Sequence, residues 1–190
     1  MRIVLASRSP RRKELLGRIF REFDVVTRET DESLPNGVHP KIGVEMLAVR
    51  KGEAVLGDVG NDALVISSDT LVELGGMPLG KPTDEDDAVR ILLRLSGETH
   101  NVHTGVAIHY KGKVFSGVDT AAVTFRNLLK AEICDYVKTG EPMDKAGAYA
   151  IQGGGAKFVE RYDGDFDAIV GLGLKLTEKL IKMAVKNDEE

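Results

Sequence analysis

Tryptophan is absent from this 190-residue chain, cysteine occurs once, proline six times, and aromatic residues make up only 5% of it. A single thiol, Cys134, excludes an intramolecular disulfide and any zinc site built on several thiolates. No apolar run approaches the roughly 18 residues needed to span a bilayer. Basic side chains number 26 against 30 acidic ones, a net charge of −4, so no overall positive field favours a nucleic acid polymer. The opening MRIVLASRSPRRKELL lacks the apolar core of a secretory signal. Together these absences predict a cytoplasmic protein in a reducing compartment, with neither membrane nor nucleic acid as partner.

What is present is the composition of a folded enzyme-sized unit, with 42% apolar and 29% charged residues. A chain of this length buries roughly 70% of its unfolded surface, which predicts one domain over residues 1–190. Short Val- and Ile-rich runs alternate with segments of helical periodicity, the pattern of an α/β or α+β fold. Strands are predicted at residues 2–6, 23–27, 63–68, 102–110 and 113–125. Helices are predicted at 9–20, 44–56, from 83 onward, at 130–139 and at 174–185. Ser9 reads as an N-cap with Pro10 behind it, 28–40 as a loop, 71–79 as a hairpin turning at Gly75 and Gly76, and the stretch to 155 as a glycine-rich loop. Residues 188–190 read as a frayed tail.

Several residues sit where local physics disfavours them. A helix N-terminus carries about half a positive charge and prefers anions. Asp84 to Asp87 obey that rule, but Arg11 and Arg12 stand at the second and third positions of the first helix. Free N–H groups with converging arginines describe a phosphate cradle; pairing of Arg11 with Glu14 is the plain alternative. Lys51 is the only charge on the stripe Val44, Leu47, Ala48, Lys51 and Val55, so it requires a counter-charge, a ligand or an escape to the core's edge. Asp69, in Ser67-Ser68-Asp69-Thr70 at the end of an apolar run, is a candidate base or metal ligand, or the start of an Asx turn. Gly75 to Lys81 fits the first positions of a Walker A loop, but Pro82 stands where a Ser or Thr should hold Mg²⁺. The four histidines read as structural, His100 and His103 facing opposite sides of a strand.

These features recur in one order along the chain. They are Ala6-Ser7-Arg8-Ser9-Pro10-Arg11-Arg12-Lys13-Glu14-Leu15-Leu16, Leu47-Ala48 with Lys51, Ser68-Asp69-Thr70, Gly80-Lys81-Pro82, Leu95-Ser96-Gly97 with His100 and Thr104-Gly105, Glu141 to Tyr149, Ile151-Gln152-Gly153 and Val170-Gly171-Leu172. In these stretches the sequence resembles the Maf family of nucleoside triphosphate pyrophosphatases, in particular its dTTP/UTP branch. The resemblance implies an elongated fold with a central mixed sheet, flanking helices and a cleft between two lobes. It also implies hydrolysis between the α and β phosphates with a divalent cation, Mg²⁺ or Mn²⁺, and a homodimer. By position, Asp69 would accept the proton, Arg12, Thr70 and Gln152 would bear on substrate choice, and Ser7, Arg11, Glu32, Lys51 and Lys81 match further functional positions. Two departures stand out. Gly173 replaces the proline usual after Val-Gly-Leu, which would loosen a turn, and Gly52 replaces a common alanine, at a cost of about 1 kcal/mol to the helix.

The mechanism expected from this has Arg11, Arg12 and the Ser9 helix start on the β and γ phosphates, and Lys51 and Lys81 flanking the α phosphate. Asp69, oriented by those lysines and sharing the metal with Glu32, takes a proton from water. Gln152 offers both a donor and an acceptor, matching N3–H and O4 of uracil or thymine. A pyrophosphatase for modified purine nucleotides and a non-hydrolytic nucleotide-binding regulator of septum formation are the competing readings.

Overall fold

The computed structural model describes residues 1–186 and is organised on one mixed sheet. The apolar run Ile-Val-Leu forms β1 (Ile3–Leu5), parallel both to β2 (Asp24–Val25) and to β3 (Leu64–Leu74). Beyond β3 every pairing is antiparallel: β4 (Met77–Leu79) and β5 (Thr99–Tyr110) on β3, β6 (Lys113–Phe125) on β5, and β7 (Val159–Asp163) on β6. The two tight hairpins turn at Gly75-Gly76, with φ of +59° and +82°, and at Lys111-Gly112, with +49° and +73°. Positive φ at both central residues suits the strand twist, and both turns lie where the sequence predicts them.

Among the described residues, seven α-helices cover the sheet. They are α1 (Pro10–Leu16), α2 (Pro40–Glu53), α3 (Leu56–Val59), α4 (Glu85–Leu95), α5 (Lys130–Val137), α6 (Phe166–Val170) and α7 (Leu174–Lys186). Alternation along β3 sorts the packing. Leu64 and Ile66 join Leu15, Leu16, Leu180 and Ala184 of α1 and α7, whereas Val65 joins Val55 beyond the end of α2. A third apolar cluster gathers Ala88, Ile91, Leu92 and Leu95 of α4 with Ile133 and Tyr136 of α5 and with Val72, Val102 and Phe158. Each fully buried Leu there contributes about 1.5–3 kcal/mol.

The α/β class and central mixed sheet agree with the expectation, and several boundaries differ for identifiable reasons. The strand predicted to stop at residue 68 continues to Leu74, because its polar residues are satisfied inside the fold: Ser67 Oγ donates to the Ala48 carbonyl (2.7 Å) and Ser68 Oγ to that of Gly171 (2.8 Å). Helix α1 stops at Leu16 because Gly17 forms its C-cap. Helix α2 starts at Pro40, four residues early, because the His39 ring caps Lys41 N–H. The acidic helix α4 is capped by Asp84, one residue after Thr83. The stretch read as a glycine-rich loop contains 3₁₀ turns at Glu141–Asp144, Ala146–Ala148 and Gly154–Phe158. Strand β7 and helix α6 are additions that the sequence reading missed. The tail at 188–190 lies outside the described residues. Gly173 does not mark a loosened turn: a Cβ there would overlap Oδ2 of Asp119, a buried oxygen without a partner among the described residues, so the glycine accommodates that carboxyl.

The histidines pack as structural groups. His100 Nε2 bonds the Tyr149 hydroxyl (2.8 Å), while His103 lies between Glu73 (2.7 Å) and Thr120 (2.9 Å). Burial pushes the His100 imidazole down to about 4. The unfolded chain binds that proton near pH 6.5 and the folded one does not, so stability is intact above 6.5 and falls as the pH drops towards 4. Urea titrations at pH 7 and pH 4 should show His100→Gln losing less stability than the parent, by about 3 kcal/mol. Equal losses in the two proteins would contradict the assignment.

Candidate active site

Strand β1 ends its pairing at Leu5, opposite Ile66, whereas β3 runs on to Leu74. Between Ile66, where β1 ends its pairing, and Val72, where β4 begins, the edge of β3 is uncovered and opens into a cleft of about 900 Å³, lined from α1, the 28–32 segment, α2, β3, Lys81 and residues 141–153. This volume suits a ligand of nucleotide size. All of Ser7, Ser9, Arg11, Arg12, Glu32, Lys51, Asp69, Thr70, Lys81 and Gln152 line it, and no histidine does.

The cleft's centre is an ion triad. Lys51 Nζ donates to Asp69 Oδ1 at 2.5 Å and lies 2.8 Å from Glu32 Oε1. Val44, Leu47 and Ala48 bury the face of α2 from which Lys51 emerges, so the stripe's one charge is aimed at Asp69, a buried acid of β3. Hydrogen bonding to Lys51 holds the Glu32 carboxyl below its ordinary value, against a smaller opposing effect of burial. The loop bearing Glu32 is fastened to α2 as well, since Arg50 Nη1 donates to the carbonyls of Ser33 (2.6 Å) and Asp31 (3.3 Å). The structure thus adds Arg50 to the residues that shape the site, one on which the sequence analysis is silent.

Two arginines of α1 behave differently. Ser9 Oγ caps Arg12 N–H, as expected, at 3.4 Å. The Arg12 side chain is tied on three sides, Nε to the Gly171 carbonyl (2.9 Å), Nη1 to Ser7 Oγ (3.4 Å) and Nη2 to Thr70 Oγ1 (3.2 Å). Thr70 in turn meets Thr104 Oγ1 (3.1 Å), which donates to the Ala168 carbonyl (2.7 Å). Burial lowers the Arg12 guanidinium, and the charge of Asp69 opposes that. Arg11 does not pair with Glu14, which bonds Arg18 instead (3.5 Å), and Arg11, Arg8 and Lys81 make no ion pair among the described residues. Lys81 shares the cleft, but among the described residues the lysine bonded to Asp69 is Lys51, and Lys81 makes no ion pair with that carboxylate.

The far wall holds groups that the sequence did not single out. Glu141 Oε1 accepts from Gly154 N–H (3.2 Å), and Lys145 pairs with Asp144. Both residues belong to the Glu141 to Tyr149 stretch, whose order in the chain was the only available signal. The Gln152 side chain is exposed there and makes no hydrogen bond among the described residues.

With this geometry established, comparison with known proteins decides the family. The model for Maf-like protein matches residues 2–184. The chain belongs to the Maf-like family. It is 46% identical over 182 residues to the dTTP/UTP pyrophosphatase of Aquifex aeolicus, covering 96% of this chain and 95% of that protein. It is 47% identical over 182 residues to the dTTP/UTP pyrophosphatase of Moorella thermoacetica, covering 95% and 93%. Among solved structures, the nucleoside-triphosphatase / dITP/XTP pyrophosphatase of Mycobacterium abscessus covers all of this chain with a TM-score of 0.50 at 14% identity, a likeness of fold. No helix among the described residues is long and apolar enough to cross a membrane.

The triad yields a stability test. Removing one member of a mostly buried ion pair strands the other charge, at a cost of about 3–5 kcal/mol. Lys51→Met should therefore lower the melting temperature at pH 7. Adding Asp69→Asn to Lys51→Met should recover most of the loss, as scanning calorimetry would show; no recovery would place the cost in packing rather than charge.

Proposed function

We propose that this Maf-like protein hydrolyses dTTP and UTP to the nucleoside monophosphate and pyrophosphate. The observation that carries the reading is the gathering of Arg11, Arg12, Lys51, Lys81 and Asp69, from four separate parts of the chain, in one cleft that also holds Gln152. Cleaving a phosphoanhydride requires charge neutralisation and a positioned water. Arg12, fixed by Gly171, Ser7 and Thr70, and Arg11, left free, hold the β and γ phosphates with the N–H groups of the Ser9 helix start. Lys51 and Lys81 lie along the α phosphate. Asp69 receives Lys51 on Oδ1, and its Oδ2, without a protein partner among the described residues, takes the proton of the attacking water.

Among the described residues no group of three or more His, Cys, Asp or Glu side chains forms a ready metal site. Two hard carboxylates, both bonded to the Lys51 ammonium and so held near each other, have the chemistry that suits Mg²⁺ or Mn²⁺, which are commonly held by one or two carboxylates plus substrate phosphate oxygens. Asp69 and Glu32 would hold the cation, and it would supply further neutralisation of phosphate charge. Gln152 reads the base edge: with its amide oxygen accepting from N3–H and its NH2 donating to O4 it matches thymine or uracil, and held in that one orientation it mismatches cytosine and adenine.

Pyrophosphate release measured with Mg²⁺ or Mn²⁺ over a triphosphate panel should show dTTP and UTP turned over in preference to dCTP and dATP. Asp69→Asn should fold and lose at least about 10² in kcat. Undiminished turnover in that variant would remove Asp69 from the chemistry. Gln152→Ala should narrow the dTTP to dCTP preference by about tenfold, the worth of a hydrogen-bonded edge; an unchanged ratio would contradict base reading by Gln152. Purine selectivity, or binding without hydrolysis, would replace the proposal with one of the competing readings.

A further inference from the structure

Helix α2 approaches the sheet most closely at two glycines. Opposite its first turns, a Cβ on Gly105 of β5 would lie 2.5 Å from the Val44 carbonyl oxygen and 2.8 Å from its carbon. In its last turn, a Cβ on Gly52 would overlap Cε1 and Nδ1 of His109 and come within 2.8 Å of Ser67 Oγ. Between these points the Ser67 hydroxyl donates to the Ala48 carbonyl at 2.7 Å. The helix therefore rests on backbone at one end and on an imidazole ring at the other.

His109 is an odd residue to find there. It is 2% exposed, and neither ring nitrogen has a hydrogen-bond partner among the described residues. A buried polar group without a partner costs stability, so the imidazole's polarity contributes nothing to the fold at this position. Its shape does contribute. The ring fills the space beneath Gly52, and the residue preceding Gly52 is Lys51, whose Nζ holds Asp69 at 2.5 Å and Glu32 at 2.8 Å.

We propose that Gly52 and His109 are a positioning pair: the imidazole sets the height of the last turn of α2 above the sheet, and with it the placement of Lys51 against Asp69. This rests on the pyrophosphatase reading above. The pair acts on the chemical step more than on substrate capture, because the phosphate cradle of Ser9, Arg11 and Arg12 is carried by α1, which packs on α6.

The test is a second-site rescue, with Gly52→Ala, His109→Ala, their combination, and Gly57→Ala at a glycine with open space around it as control. With dTTP as substrate, Gly52→Ala should lower kcat by about 10- to 100-fold, as a misplacement of about 1 Å does, while KM changes by less than about threefold. The combined variant should return to within about threefold of the parent kcat, and Gly57→Ala should match the parent. If Gly52→Ala does not fold, the combined variant decides: folded and active, it supports the pair; unfolded or inactive, it overturns it. Full activity in Gly52→Ala, or no rescue in the combination, also overturns the inference while leaving the enzyme reading intact. A parent protein inert towards every triphosphate would overturn both.

Discussion

One ammonium group, Nζ of Lys51, holds two carboxylates at the centre of the cleft, and much of the surrounding structure serves to keep it there. Asp69 is 9% exposed, and a carboxylate taken that far out of water requires a nearby counter-charge. Taking both charges out of water costs about as much as their attraction returns, so the pair adds little net stability. Its effect is geometric. Lys51 fastens a strand, a helix and the loop carrying Glu32 at one point, and it fixes which oxygen of Asp69 remains available for a water molecule.

The arginines of α1 show a second use of fixed charge. Arg12 spends three donors on the protein, which joins the start of α1 to β3, to β5 through Thr104, and to the backbone after α6. Its guanidinium is set before a ligand arrives, with no conformational freedom left to lose on binding. Arg11, one residue earlier, is free to follow the ligand. A rigid cation beside an adaptable one suits a polyphosphate, whose inner phosphates must be placed accurately while the outer ones need only be neutralised.

Much of this was legible in the residues because the site breaks local rules. Cations at a helix start, a lysine on an apolar stripe and polar residues ending an apolar run each signalled a cost that the finished structure had to offset, and the fold brings them together. The hairpin turns at Gly75-Gly76 and Lys111-Gly112 were readable because so few sequences close such turns. What escaped was information held only in tertiary contacts. Arg50 looks like any exposed arginine until the loop it fastens is folded over it. Strand β7, Val-Glu-Arg-Tyr-Asp at the sheet's edge, has no apolar alternation to betray it. The predicted break after Ser68 failed because four polar residues in a row resemble a turn, whereas here each of Ser67, Ser68, Asp69 and Thr70 finds a partner within the fold. Gly52 and Gly173 looked like departures with a cost, and became intelligible only when His109 and Asp119 were seen occupying the space that a side chain would need.

The central claim is that Asp69, held by Lys51, directs water at the α phosphorus. Hydrolysis of dTTP in ¹⁸O-enriched water, followed by mass spectrometry of the products, tests it most directly. The account predicts a single ¹⁸O in thymidine monophosphate and none in pyrophosphate. Label in the pyrophosphate, or release of orthophosphate in its place, would mean that the attack falls on another phosphorus and would contradict the account.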